Sequence, residues 1–269
     1  MIRLFNENNT VILSGGFMTE AQSDVKIVSP KAFDVLRKYD SATVANVIEL
    51  FQYRPSTAGY LRGHIRAIYP DLPPVVGYAT TATFRSAFPS DDANAYLKCP
   101  EQLRAMQAFP GPRIAVIQDL DEPTMGATLG EVMSRTYKRF GCEAIITSGG
   151  ARDILAVRDL NFAIFASSII VGHGYPRIED VHVPVLLEGV TVYPGDIIHA
   201  DANGVLVVPN AIAEAVANGC EEYMAVEKKI IDYLAREDAT IDGYLESENV
   251  ATVEFEQLAS KLRGQQAKK

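Results

Sequence analysis

From Ile27 onward, apolar and polar positions alternate between two periods, and the changes of period mark the elements. SATVANVIELF carries apolar residues at helical spacing, with Ser41 placed to cap it, and predicts a short amphipathic helix. PPVVGYATTATFRS (73–86) is rich in β-branched residues and predicts a strand. DDANAYLKCPEQLRAMQAF reads as mostly helical, with Pro100 opening a new turn or kinking it. RIAVIQDL (113–120) is an unbroken apolar run of strand length, as expected for a strand buried on both faces. GATLGEVMSRTYKRFG then predicts a helix closed by Gly141, CEAIITSGG a second buried strand, ARDILAVRDL a short helix, and NFAIFASSIIV a further strand. This succession predicts an α/β fold with right-handed crossovers on a largely parallel sheet.

After His173 the pattern changes. VPVLLEGVTVYPGDIIHADANGVLVVP contains no helical period and reads as short strands joined at Glu188-Gly189, Pro194-Gly195 and Asn203-Gly204, the last a strong hairpin signal. Asn210 is placed to cap a long helix, AIAEAVANGCEEYMAVEKKIIDYLAR, with Gly219 a weak point inside it. No repeat or low-complexity linker divides the chain. The expected division is an N-terminal extension over residues 1–29, a main domain over 30–236, and a polar C-terminal arm over 237–269 that is a candidate for a subunit interface.

Composition narrows the function classes. With 269 residues, 48% of them hydrophobic, the chain can build a sizeable core. A net charge of −9 argues against a nucleic-acid partner, yet a locally positive pocket on such a protein still suits a small anion. Three widely spaced cysteines (Cys99, Cys142, Cys220) form no disulfide framework or metal motif and fit a reducing cytoplasm. No segment has the length of a membrane span, and the N-terminus lacks a signal-peptide pattern.

Candidate chemistry concentrates in ITSGGARDILAVRDL, which holds two Arg-Asp pairs. Ligands of parallel sheets gather at the carboxyl ends of the strands. CEAIITSGG delivers Arg152 and Asp153 to that edge, whereas Arg158-Asp159 falls at the far end of the next helix and reads as solvated surface. Gly130 and Glu131, with the amides of Val132 and Met133, lie at a helix start expected on the same edge, where free N–H groups suit a carboxylate or phosphate. One or two carboxylates plus water suit magnesium better than zinc. A histidine metal site from His173, His182 and His199 matches no ligand spacing, and a serine hydrolase built on Ser148, Ser167 or Ser168 lacks the G-x-S-x-G turn.

GATLGEVMSRTYKRFGCEAIITSGGARD followed by VTVYPGDIIHADANGVLVVP resembles the RraA-like superfamily. That superfamily contains divalent-metal aldolases acting on 4-hydroxy-4-methyl-2-oxoglutarate and related acids, together with a regulator of ribonuclease E. The resemblance runs from SATVANVIELF to the helix after Pro209. It implies a β/β/α swivelling-type sandwich, assembled as homotrimers or stacked hexamers. It further implies that Asp153 binds Mg²⁺ or Mn²⁺, that Arg152 contacts the substrate, and that Gly130, Glu131, Val132 and Met133 form the substrate loop, with Glu131 acting through a metal-associated water. Glu227 is the nearest equivalent of a glutamate that a neighbouring subunit brings to the site, and His173 follows a strand in the variable substrate region. The implied activity is cleavage of a 4-hydroxy-2-oxo acid to pyruvate and a second oxo acid, with oxaloacetate decarboxylation as a side activity. The regulator branch lacks the Asp after the Arg, and this chain keeps it. The alternative reading is a non-catalytic regulator that binds an enzyme partner. ADANG carries Asn203, and the first helix Asn46, where the family usually has charged residues. The segment ASSIIVGHGYPRIEDVHVPVLLEG also departs from the aldolases of established substrate.

Overall fold

The computed structural model describes residues 4–5, 10–12, 25–90 and 98–266. The chain enters through a short antiparallel ribbon, β1 (Leu4–Phe5), β2 (Thr10–Ile12) and β3 (Val25–Lys26). Helices α1 (Pro30–Leu36) and α2 (Ser41–Leu50) follow. The expected cap of α2 shifts by one residue. Asp40 is the cap, its carboxylate accepting from the Thr43 amide, and Ser41 is the first helical residue, with its N–H and hydroxyl both donating to Asp201. Sequence alone offers two adjacent capping residues here, and a carboxylate 160 positions away takes one of them.

The main sheet runs, in spatial order, β14 (Gly204–Val208), β13 (Ile197–Asp201), β5 (Val75–Arg85), β6 (Arg113–Asp119), β8 (Cys142–Ala151), β9 (Ala163–Ile169) and β4 (Arg66–Ala67). Its centre is four parallel strands, β5, β6, β8 and β9. Antiparallel partners flank them: β4 beside β9, and the hairpin of β13 and β14 beside β5. The hairpin loop is Ala202-Asn203, with Gly204 at φ +134° opening the return strand. β5 is long enough to pair with β13 over its first half and with β10 (Arg177–Val181) over its second. Tyr60 bridges to Leu206, so the two ends of the sheet approach and nearly close it.

This curvature explains the unbroken apolar runs. Along β6, Ile114 and Val116 point inside the closed sheet beside Ala144, Ile146 and Phe165. Ala115 and Ile117 point outward, under α3 (Cys99–Ala105) and α4 (Glu131–Arg139), with Tyr137 and Met106. Both faces are buried, which removes any strand alternation from the pattern. The small hairpin β11 (Val185–Leu187) and β12 (Val190–Val192) caps the interior. On the other outer face, α1, α2 and α6 (Ala213–Leu234) cover Val76, Tyr78, Ile197 and Val208.

Three further expectations change. GATLGEV does not start a helix: Ala127–Leu129 is a strand, β7, paired with the end of β8, and α4 starts only at Glu131. Asn210 does not cap the long helix. α6 begins after Ile212, while the Asn210 side chain accepts from the Ile197 amide and donates to the Gly195 carbonyl. The polar C-terminal arm is a 26-residue helix, α7 (Ile241–Gln266), whose Leu258, Ala259 and Leu262 are buried against α2 and α6. Gly219 is where α6 admits this helix, since a Cβ there would lie 2.9 Å from Leu262 Cδ1. The proposed opening helix over DDANAYLK lies largely outside the described residues; α3 starts at Cys99 with Pro100 in its first turn. Among the described residues, no helix is long and apolar enough to cross a membrane.

Candidate active site at the carboxyl edge of the parallel strands

Four strand ends meet along one edge: Arg85 of β5, Asp119 of β6, Ala151 of β8 and Ile169 of β9. β7 lies against the last turn of β8, pairing Ala127 with Gly150 and Leu129 with Ala151. The Arg152 N–H donates to the Leu129 carbonyl at 3.0 Å, so the chain leaves β7 and β8 side by side. One exit carries Gly130 into α4, and the other carries Arg152 and Asp153 into α5 (Ile154–Arg158).

Asp153 adopts a left-handed backbone, φ +57° and ψ +36°, uncommon outside glycine although Asp tolerates it. The turn aims its carboxylate away from α5 and across to α4. Asp153 Oδ2 accepts the Glu131 N–H, the first amide of α4, at 3.0 Å and stands 3.7 Å from Arg152 Nε. Gly130 makes this approach feasible, because a Cβ there would sit 2.5 Å from Asp153 Oδ2 and 3.0 Å from Arg152 Cγ. The amides of Val132 and Met133 occupy the same first turn, where a helix offers no acceptor of its own. The Val132 side chain is exposed, and that of Met133 turns into the core.

The structure therefore brings Gly130, Glu131, Val132, Met133, Arg152 and Asp153 into one cluster. The Glu131 carboxylate runs along α4 to Arg135, 2.7 Å away, so it enters the cluster already paired. His173 flanks it from the loop after β9: the Gly172 carbonyl accepts the Ala127 N–H, and a Cβ on Gly126 would meet the His173 carbonyl at 2.6 Å. Its ring bonds its own loop at the Gly174 carbonyl. Glu227 lies elsewhere in its own chain, on α6 beside Tyr223 in the helical layer over β13 and β14. Arg158 pairs with Asp71 at the surface.

Most residues set aside as candidates have hydrogen-bond partners; His182 instead packs its ring against Phe109, with neither ring nitrogen hydrogen-bonded among the described residues. His199 is fully buried, Nε2 between the Leu36 and Tyr39 carbonyls, and burial pushes its pKa down. Ser148 Oγ accepts the Asp119 amide, and Ser167 Oγ donates to the Gly149 carbonyl. All three cysteines are free and buried. Asn46 bonds Tyr223, and the Asn203 amide donates to Asp201.

Sequence reasoning missed the support beneath the cluster. Asp119 is nine-tenths buried at the end of β6, and burial raises its pKa. Asp121, two residues on, accepts the Ser86 and Ala87 amides and faces Arg85; these outweigh burial and lower its pKa. The available signal was an acid ending a doubly buried apolar run.

Asp153 is the residue of the cluster that could hold a hard divalent cation. Asp153 Oδ1 makes no hydrogen bond among the described residues. No group of three or more His, Cys, Asp or Glu side chains converges among the described residues. An ion bound here would have Asp153 as its protein carboxylate, with water completing its shell.

Comparison with known proteins bears on the family and the fold. The RraA-like family, described as Aldolase/RraA, matches residues 44–207. A Halalkalibacterium halodurans protein named "Putative 4-hydroxy-4-methyl-2-oxoglutarate aldolase" is 30% identical over 156 residues, covering 53% of this chain and 71% of that protein. Protein DlpA of Legionella pneumophila is 33% identical over 103 residues, 38% of this chain, and the match spans only 17% of DlpA. Streptomyces coelicolor RraAS2, described as an unusual member of the RNase ES inhibitor RraA protein family, superposes with a TM-score of 0.59 at 25% identity. That superposition covers 74% of this chain and 96% of RraAS2. By sequence match and by fold, the chain belongs to the RraA-like family.

Proposed function

We propose that the chain is a divalent-metal-dependent carbon–carbon lyase that cleaves a 4-hydroxy-2-oxo acid to pyruvate and a second oxo acid. The observation that carries the reading is Asp153: a carboxylate turned by a left-handed backbone onto the first amide of α4, beside the Arg152 guanidinium. In the proposed reaction the substrate's 4-hydroxyl loses its proton and the C3–C4 bond breaks. The electron pair passes to the pyruvyl fragment as an enolate, which then takes a proton at C3. Asp153 would hold Mg²⁺ or Mn²⁺, which would supply Lewis-acid stabilisation of the developing negative charge. Arg152 contributes a preorganised donor to the 2-oxo oxygen. The Val132 and Met133 amides orient the pyruvyl carboxylate at the helix start. Glu131, held by Arg135, is the proposed proton acceptor through an intervening water. The same arrangement would decarboxylate oxaloacetate. The proposed assembly is a homotrimer or a pair of stacked trimers.

The likeness to RraAS2 supports a second reading, a non-catalytic regulator acting on an enzyme partner. One assay separates the two. Protein supplied with Mg²⁺ should release pyruvate from 4-hydroxy-4-methyl-2-oxoglutarate or oxaloacetate, and release should stop with chelator. Asp153→Asn should lose at least about 100-fold in turnover with its fold intact. Full activity in that variant would show the site to be misplaced, and no metal-dependent pyruvate from a panel of 2-oxo acids would favour the regulator.

A further inference from the structure

A cavity of about 350 Å³ opens on the seam where Tyr60 bridges to Leu206 and the sheet nearly closes. It shares no residue with the cluster of Gly130–Met133, Arg152 and Asp153. Its walls carry Arg54, Thr57, Tyr60, Arg62, Val190 and Thr191, and no Asp or Glu lines it among the described residues. On a chain of net charge −9, this is a locally positive hollow. Each guanidinium lies against a glycine. A Cβ on Gly59 (φ +88°) would lie 1.9 Å from Arg54 Cζ, so the Arg54 head occupies the space a side chain would need. Arg54 Nη2 donates to the Val207 carbonyl at 2.7 Å, which fixes that head on β14. Arg62 stands at the turn of the β11–β12 hairpin, where a Cβ on Gly189 would lie 3.7 Å from its Cζ. Glu188, the neighbour of Gly189, turns its carboxylate to the Ile65 amide instead. Among the described residues neither arginine forms an ion pair, and Asp196 acts on Arg54 only as a more distant charge.

We infer that this cavity binds a small dicarboxylate, one carboxylate on Arg54 and the other on Arg62, at a place separate from the candidate active site. A guanidinium presents a planar fork of donors that matches a carboxylate with two parallel bonds. The two heads stand against different walls, one at Gly59 and one at Gly189, an arrangement for two separated carboxylates rather than for one phosphate group. Val190 and Val207 offer apolar surface to the carbon chain between them, and the Thr57, Tyr60 and Thr191 hydroxyls are further donors. Arg54 is half-buried, and an anion beside it offsets part of the cost of taking that charge out of water. The volume falls in the range of about 300–1,000 Å³ usual for small-molecule sites. A bound diacid would join the β11–β12 turn to the β14 seam, and so should stabilise the fold by mass action.

The test uses succinate, titrated by calorimetry into the full chain at about 0.15 M salt, where diffuse charge attraction is screened. Butyrate and inorganic phosphate serve as comparisons. Because Arg152 also suits a carboxylate, every titration is repeated in Arg152→Ala, which removes the guanidinium of the candidate active site. In that background one succinate should still bind per chain, at least about tenfold more tightly than butyrate, which has a single carboxylate. Arg62→Gln and Thr191→Glu change exposed side chains, and each should weaken succinate at least about tenfold. Thermal unfolding should follow the same order: succinate raises Tm in wild type and in Arg152→Ala, but not in Thr191→Glu. Three results would each overturn the inference: no succinate bound in Arg152→Ala at about 10 mM, unchanged affinity in both Arg62→Gln and Thr191→Glu, or tighter binding of phosphate than of succinate. None of these measurements uses turnover, so a chain that releases no pyruvate would defeat the proposed activity and leave this site standing.

Discussion

Asp196 shows how a single carboxyl group sets a pH dependence unrelated to the site. It closes the Tyr193–Asp196 turn, Oδ2 accepting the Tyr193 amide at 2.8 Å. Burial pushes its pKa from 3.8 up to about 6, with the Tyr193 amide and Arg54 opposing. A carboxyl whose pKa is raised by folding favours the folded state in its protonated form. The contribution is fully present below the unfolded value near 3.8 and is lost as pH rises through about 6. At neutral pH the fold therefore holds a charge it would be more stable without. Asp196→Asn keeps a carbonyl oxygen for Tyr193 and removes the charge. It should raise unfolding free energy by roughly 2 kcal/mol at pH 7.5, with the gain shrinking to a few tenths at pH 4. Urea titrations at the two pH values measure this directly. A loss of stability at pH 7.5 would show that the carboxylate is paired favourably and that the direction is wrong. The glycine and acid of the site, Gly130 and Asp153, were legible in sequence because the strand-edge rule uses only local order. Asp119 was not, because its burial at the end of β6 depends on the neighbouring strands and on Ser148, which accepts its amide from β8.

At the level of elements, the same distinction separates what the chain reveals early from what it hides. β6 and β8 stand out as apolar runs because burial on both faces leaves its trace in every residue. β7 is hidden: three residues between a loop and a helix carry too little pattern, and only pairing with β8 makes them a strand. Asn210 was readable as a helix cap, yet its amide serves the turn at Gly195 instead, a tertiary demand that local preference cannot anticipate. α7 is the largest such case. Its polar composition suggests a peripheral arm, and its first half is indeed largely solvated, but its last turns enter the core over α2 and α6. A paired substitution tests this. Leu262→Ala, at a buried position, should destabilise by about 2–5 kcal/mol, whereas Leu245→Ala on the exposed half of the same helix should change stability by less than about 0.5 kcal/mol. Equal small effects at both sites in chemical denaturation would mean that α7 is an appendage.

Over the whole molecule, charge is far from evenly spread. Residues 221–256, most of the α6–α7 hairpin, carry eleven acidic and three basic side chains, nearly the entire net charge of −9. The same hairpin exposes Ile231, Leu234, Ile241, Leu245, Val250 and Val253. At the edge that holds the site, Val132, Leu155, Ile169 and Val171 are also exposed. The segment 131–158 beside them carries five basic and three acidic side chains. Two hairpins of charge −8 repel when placed against each other, so a two-fold contact through this element is disfavoured. A contact between the hairpin of one copy and the more basic site edge of the next satisfies both charge and apolar area, and such head-to-tail contacts close into rings. The proposed trimer is the smallest ring of this kind. Sedimentation equilibrium should therefore return three or six times the chain mass of 29.4 kDa, with dissociation promoted by raised salt as the charge attraction is screened. A stable species of two subunits would contradict this arrangement, because only a self-complementary patch would then join the copies, and the charge of the hairpin denies it that role.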